Sequence, residues 1–324
     1  MKNYKKYMIG ISAGLTSLVF TGCCCTTATL SEAWYASTTN DPAAVAIVQP
    51  NDTQLDPMAQ HVQEKKNDWI VTASVIPSEE AAVSLASIGG SSYGVNQTRQ
   101  FFTALGQDVA NRFGALKNFK IVGAPVTDPS GVTEVQSAAP NRLTYNLSQL
   151  SCKFHRGEYH PAVWVQGHRI SDAYTDPDYF AATASVHVSL LDASGNQRFS
   201  ITAAATAKGD TEANAANLAI KAALNDVMLQ YGMRYAPPAH VTMMRGDGLF
   251  AKINIGQKDG VVAGTPVRFV QFVNLGQVGG KDNIQENVIA TGNVCKLEGD
   301  SAWVKINCYH YKVVHIGTLA RLGR

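Results

Sequence analysis

The steadiest pattern in the chain runs from Tyr179 to Gly209, where apolar and polar positions alternate one for one. Phe180, Ala182, Ala184, Val186, Val188 and Leu190 share one face, and Thr183, Ser185, His187 and Ser189 the other. After a turn at Asp192–Gln197, Phe199, Ile201, Ala203 and Ala205 resume against Ser200, Thr202 and Thr206. Side chains of a strand alternate between faces, so this segment predicts a long antiparallel hairpin with one buried face. Two other stretches repeat at helical spacing. Phe102, Leu105, Val109 and Phe113 recur at steps of three and four, and Ala216, Ile220, Leu224, Val227, Met228 and Tyr231 form one stripe. Both predict amphipathic helices, the second capped by Asp210 and ended before Pro237-Pro238.

Weaker patterns fill the rest. WIVTASVIP (69–77) and FKIVGA (119–124) read as strands, separated by a glycine-rich loop and the first helix. Residues 125–162 read as a long insert, with a turn at Asp128-Pro129-Ser130-Gly131 and a short helix near Leu143–Leu150. VWVQGHRI (163–170) reads as a strand beside the long hairpin. From about 240 the pattern changes to short strands. LFAKINI, VRFVQFV, a hairpin turning at Gly299-Asp300 and a closing strand near Lys312–Ile316 predict a small barrel of about five strands. The fold class expected is α+β: an antiparallel sheet with packed helices over 67–237, followed by a small β-barrel domain over 240–324. A length of 324 residues suits two domains of ~100–200 residues each.

The amino terminus has a different character. A basic stretch, MKNYKKY, precedes an uncharged run of 13 residues, Met8–Phe20. That run is too short for a membrane span of ~20 residues but fits the apolar core of a secretory signal. Thr21, Gly22 and Cys23 follow, and the pattern resembles the lipobox of bacterial lipoproteins, with Phe20 where that pattern favours Leu. The resemblance implies a signal peptide over 1–22 and fatty acylation of Cys23. At ~0.8 kcal/mol per buried CH₂, two or three acyl chains anchor a protein stably. Cys24 stands where an Asp would favour inner-membrane retention, so the implied location is the outer membrane, facing the periplasm. Residues 23–66, rich in Thr, Ala, Asn, Asp and Pro, read as a tether in which Trp34–Tyr35 and Ala43–Val48 are apolar enough to dock. Removing Lys2, Lys5 and Lys6 leaves 24 basic and 25 acidic residues. A nearly neutral mature chain gives no electrostatic basis for a nucleic-acid partner.

Candidate chemistry is sparse. Gly90-Ser91-Ser92-Tyr93-Gly94 matches the G-x-S-x-G nucleophile elbow, which would make Ser92 the nucleophile of a serine hydrolase. That elbow needs a strand before it, a helix after it and a parallel sheet beneath. Cys152, His155 and His160 have the composition of a zinc half-site but lack a second ligand pair. Asp172, Asp176 and Asp178 lack the glycine and terminal glutamate of a calcium loop. No phosphate cradle or other cofactor motif is present. Cys295 and Cys308 lie about four positions out of register for a bond across the Gly299-Asp300 turn. The pairing of Cys24, Cys25, Cys152, Cys295 and Cys308 in an oxidising compartment is left open.

ALGQDVANRFGALKNFKIVG, VWVQGHRI and VHVSLLDASGNQRFSITAAATAKG together resemble the αβ domain shared by three groups. These are curli-secretion lipoproteins, penicillin-binding-protein-activator lipoproteins and the TolB amino-terminal domain. INIGQKDGVVAGTPVRFVQ, with GNVCKLEGDSAWVKI, resembles the small β domain that closes the flagellar-assembly T-protein family. These resemblances imply a non-catalytic, lipid-anchored adaptor or assembly factor of a cell-envelope machine. Its implied partners are other envelope proteins, the membrane through the anchor, and further copies of itself. The alternative they imply is a subunit of a curli-type secretion channel.

Overall fold

A computed structural model describes residues 39–47, 70–89, 93–126, 139–166, 168–278, 281–307 and 313–323. Cys23, Ser92, the 128–131 turn and Cys308 lie outside them. Among the described residues the architecture is α+β, with a five-stranded sheet and three α-helices followed by a closed six-stranded barrel.

Strand β1 (Val71–Pro77) leads into helices α1 (Ala81–Gly89) and α2 (Gly94–Gly114), then β2 (Phe119–Ile121) and β3 (Asn141–His155). β1 is buried along most of its length because it lies between β2 and β3 and runs parallel to both. The sheet is therefore mixed, where an antiparallel one was expected. A strand that returns through a helical crossover re-enters parallel to the first, and the two helices after β1 provide that crossover.

β3 occupies the place expected for an insert and a short helix. Leu143, Leu147 and Leu150 are spaced like a helix stripe, yet all three lie on the buried side of a strand. A bulge between Leu147 and Gln149 moves the alternation by one position, so a period of two reads as steps of four and three.

Four short strands follow: β4 (Tyr159–His160), β5 (Val163–Val165), β6 (His168–Ser171) and β7 (Tyr174–Thr175). The expected hairpin is present as β8 (Tyr179–Leu191) and β9 (Gln197–Gly209), completing the sheet order β2-β1-β3-β8-β9. Thr211, not Asp210, caps α3 (Glu212–Tyr235), its hydroxyl accepting from the Asn214 amide at 3.2 Å. Asp210 instead accepts from the Asn214 side chain at 2.6 Å. The buried face of α3 is rich in alanine (Ala215, Ala216, Ala219, Ala223), and Ala182, Ala184 and Ala203 lie in the same core. Small residues on both sides let a helix approach a sheet closely.

The barrel comprises β10 (Ala239–Arg245), β11 (Phe250–Ile253), β12 (Pro266–Val278), β13 (Lys281–Leu297), β14 (Ala302–Ile306) and β15 (Leu319–Leu322). Its closed order is β10-β11-β14-β13-β12-β15, six strands rather than five. β15 closes it by pairing with both β10 and β12, further along the chain than the expected 312–316. Ala251, Ile253, Phe269, Val304 and Ala320 fill its interior.

Residues 39–47 belong to the expected tether, in which Ala43–Val48 read as apolar enough to dock, and they lie against the barrel. Val45 is packed with Leu249, Phe250 and Trp303.

Candidate functional site

The residues singled out for chemistry do not converge. The Gly90–Gly94 motif sits between two helices, α1 and α2, so a helix stands where a nucleophile elbow needs a strand. Tyr93, beside Ser92, is buried edge-on to Phe101 at 5.5 Å, and burial, then Cys152, push its phenol above the usual range. Cys152 and His155 are three apart on one strand and so project to opposite faces. Cys152 lies against the core, whereas the His155 ring stacks on Tyr179 at 4.9 Å.

The three aspartates are each engaged locally. Asp172 pairs with Arg169 at 2.8 Å, Asp176 with His160 at 3.0 Å, and Asp178 accepts from the Gly157 amide at 2.7 Å. Among the described residues, no group of three His, Cys, Asp or Glu side chains is placed to hold a metal ion. Cys295 carries a free thiol that donates to the Trp303 carbonyl at 3.4 Å, and burial raises its pKa.

What the fold does present is an arm. β3 and β8 stay paired from Arg142↔Leu191 to His155↔Tyr179, well past the end of β1. Beyond them β4 pairs with β7, and β5 with β6, down to Val165↔His168. Residues 141–191 thus form one interrupted hairpin whose distal part, 156–178, leaves the sheet. The stretch 163–170 belongs to this arm and is not a neighbour of the β8–β9 hairpin. Gln166, at a φ of 50°, follows Val165 at the tip.

Ring-to-ring rungs stiffen the arm across its two sides. Phe154 meets Phe180 at 5.3 Å, His155 meets Tyr179, and His160 meets Tyr174 at 4.6 Å. Lys208 lies over the Tyr179 ring at 4.3 Å, tying β9 to the base. Cross-strand aromatic pairs of this kind contribute roughly 0.2–1 kcal/mol each.

The tip is apolar and bare. Val163, Trp164 (61% exposed), Val165, Ile170 and Tyr174 all face solvent. Because Val163, Trp164 and Val165 are consecutive, both faces of β5 are uncovered. An isolated two-stranded hairpin is marginally stable in water, so this end of the arm gains stability when something covers it.

The rest of the sheet's polar face behaves differently. Thr144 and Ser189 meet at 2.7 Å, His187 and Thr202 at 2.8 Å, and Thr183 and Thr206 at 2.8 Å. Those groups are satisfied by one another. Sequence reasoning missed the arm because VWV reads the same whether buried or bare. The usable signal was Gln166-Gly167 between two short apolar runs, a hairpin turn too close to its strands for a packed sheet.

No known protein family matches this chain, and no curated protein shows significant similarity to it.

Proposed function

We propose that the protein is a lipid-anchored periplasmic adaptor or assembly factor of a cell-envelope machine, working by protein contacts rather than catalysis. The observation that supports this reading is the arm, with Trp164 and its apolar neighbours uncovered at the end of a braced hairpin. Acylation at Cys23 holds the protein at the outer membrane, and the arm reaches an envelope protein whose cleft accepts a two-sided apolar wedge. Large aromatic anchors of this kind carry most of the energy of protein interfaces. β9, at the edge of the five-stranded sheet, supplies a second place where a partner or another copy adds a strand.

The curli-type channel is the second reading, favoured by the length of the 141–191 hairpin. Past His155, however, its paired strands run only two to four residues. A transmembrane strand needs about 9–11. Strand length favours the adaptor.

A photo-crosslinking amino acid at position 164, in intact cells, tests the reading. It should trap one discrete envelope protein, while the same group at Ser194, in the exposed β8–β9 turn, traps none. Absence of any adduct at 164, or adducts of equal yield at both positions, removes the support for the adaptor.

A further inference from the structure

Residues 39–47 are held on the barrel by a slot that matches them in both shape and charge. Val45 is only 6% exposed, seated with Leu249, Phe250 and Trp303. Asp41 starts a short 3₁₀ turn over Pro42–Ala44, its carboxylate accepting from the Ala43 amide at 3.0 Å. Three basic side chains of the barrel hold this turn. Lys305 donates to the Thr39 carbonyl at 2.6 Å, Arg245 donates to the Pro42 carbonyl at 3.2 Å, and Lys296 reaches Asp41 at 3.5 Å. The same cations border the apolar floor, with Arg245 5.5 Å from the Trp303 ring centre and Lys305 5.9 Å from that of Phe250. The far end is fastened through the backbone. Gly246 donates to the Ala46 carbonyl at 2.8 Å, and Ile47 bridges antiparallel to Arg245.

We infer that the barrel carries a peptide-binding slot whose ligand is this chain's own 39–47 segment. The segment acts as a strap that fastens everything before it to the barrel, not to the αβ domain. For what the strap carries, the inference rests on the anchor reading. Thr39 lies 16 positions after Cys23, and Ile70, at the start of the αβ domain, 47 positions after it. At ~3.4 Å per extended residue, the strap cuts the maximum reach from acyl chains to folded domain from about 160 Å to about 55 Å. The barrel thereby becomes the membrane-proximal module, and the αβ domain with its arm is carried beyond it.

The test uses the mature chain in lipid vesicles. Backbone hydrogen exchange over 39–47 and at Gly246 should be slowed at least about tenfold relative to the unstructured rate. Val45→Asp, which places a charge on the apolar floor, should abolish that protection while β11 and β14 stay protected, showing that the barrel remains folded. A fluorescent amino acid at position 275, on exposed Leu275 of the β12–β13 hairpin, should transfer energy to a labelled lipid headgroup. That transfer should fall in Val45→Asp, whereas transfer from position 194 should not fall. Exchange at the unstructured rate in the unmodified chain would overturn the strap. Protection that disappears on dilution would overturn it as well, since a second copy's segment would then be the ligand. Mass spectrometry of the mature amino terminus reports on the acyl anchor separately, and hydrogen exchange reads the strap whether or not Cys23 is acylated.

Discussion

Glu298 does more for the barrel than its partly exposed position suggests. It accepts from Lys252 at 2.7 Å, from the Ser301 hydroxyl at 2.6 Å and from the Trp303 indole at 3.2 Å. Hydrogen bonding from Lys252, then from Ser301 and Trp303, lowers its pKa to about 2 from an ordinary 4.5. A carboxyl depressed in the folded state adds stability that is complete above its unfolded pKa and is lost as pH falls toward the folded one. The window is therefore about pH 4.5 down to 2. The side chain is 38% exposed, so solvent screening cuts the contribution to about 1 kcal/mol. Glu298→Gln should lower barrel stability by about that amount at pH 7 and flatten the acid dependence between pH 4.5 and 2. Urea unfolding followed through Trp303 at both pH values checks this. An unchanged slope across the window would show that the carboxylate is not the titrating group.

Individual elements were legible where one periodicity acted alone. The β8–β9 hairpin kept its alternation over 13 residues on each side, and α2 kept its stripe from Phe102 to Phe113. β3 was lost because one bulge displaced the phase, turning Leu143, Leu147 and Leu150 into an apparent helix face. The strand missing from the expected barrel is β10, whose bulge between Val241 and Met243 breaks the alternation of AHVTMMR, and the closing strand was placed too early because the four residues LARL carry too little pattern to stand out. The arm was lost for another reason: its composition is that of a core strand, and only the fold reveals that nothing covers it. The cap of α3 is a milder case, in which Asp210 and Thr211 are adjacent candidates of similar propensity. Geometry decides for Thr211, whose hydroxyl reaches a backbone amide, whereas Asp210 reaches a side chain. Thr211→Ala should therefore cost about 1 kcal/mol. Asp210→Ala should cost measurably less, and thermal melts of the two single variants rank them. The reverse order would make Asp210 the cap.

At the scale of the whole molecule, the αβ domain and the barrel meet along a seam with two unlike parts. One is ionic: Lys117 reaches Asp259 at 3.2 Å and Asp300 at 3.1 Å, and its backbone amide donates to the Lys258 carbonyl at 2.8 Å. The other is steric. Tyr231, packed edge-on against Phe113, Phe119 and Phe199 and tilted on Tyr235, takes a hydrogen bond from Asn118 at 2.7 Å, and burial pushes its phenol up to about 12. One residue on, Gly232 lies so close to the barrel loop that a Cβ would collide with the Gly260 carbonyl oxygen. Lys117 and Asp300 are largely exposed, and Asp259, though its side chain is buried, also accepts from the Gly256 amide at 3.0 Å, so removing the ammonium costs ~0–1 kcal/mol, whereas overpacking of a tight contact costs ~1–3 kcal/mol. Here the obstacle is backbone on both sides, which cannot rotate away, so the steric part governs the seam. Lys117→Ala should leave the two domains melting together with little change. Gly232→Ala should force them apart, splitting the calorimetric transition into two while each domain keeps its own hydrogen-exchange core. A single transition at the original temperature in Gly232→Ala would mean that the Gly232–Gly260 contact does not govern the seam, and that the coupling which aims the arm rests on the ionic part instead.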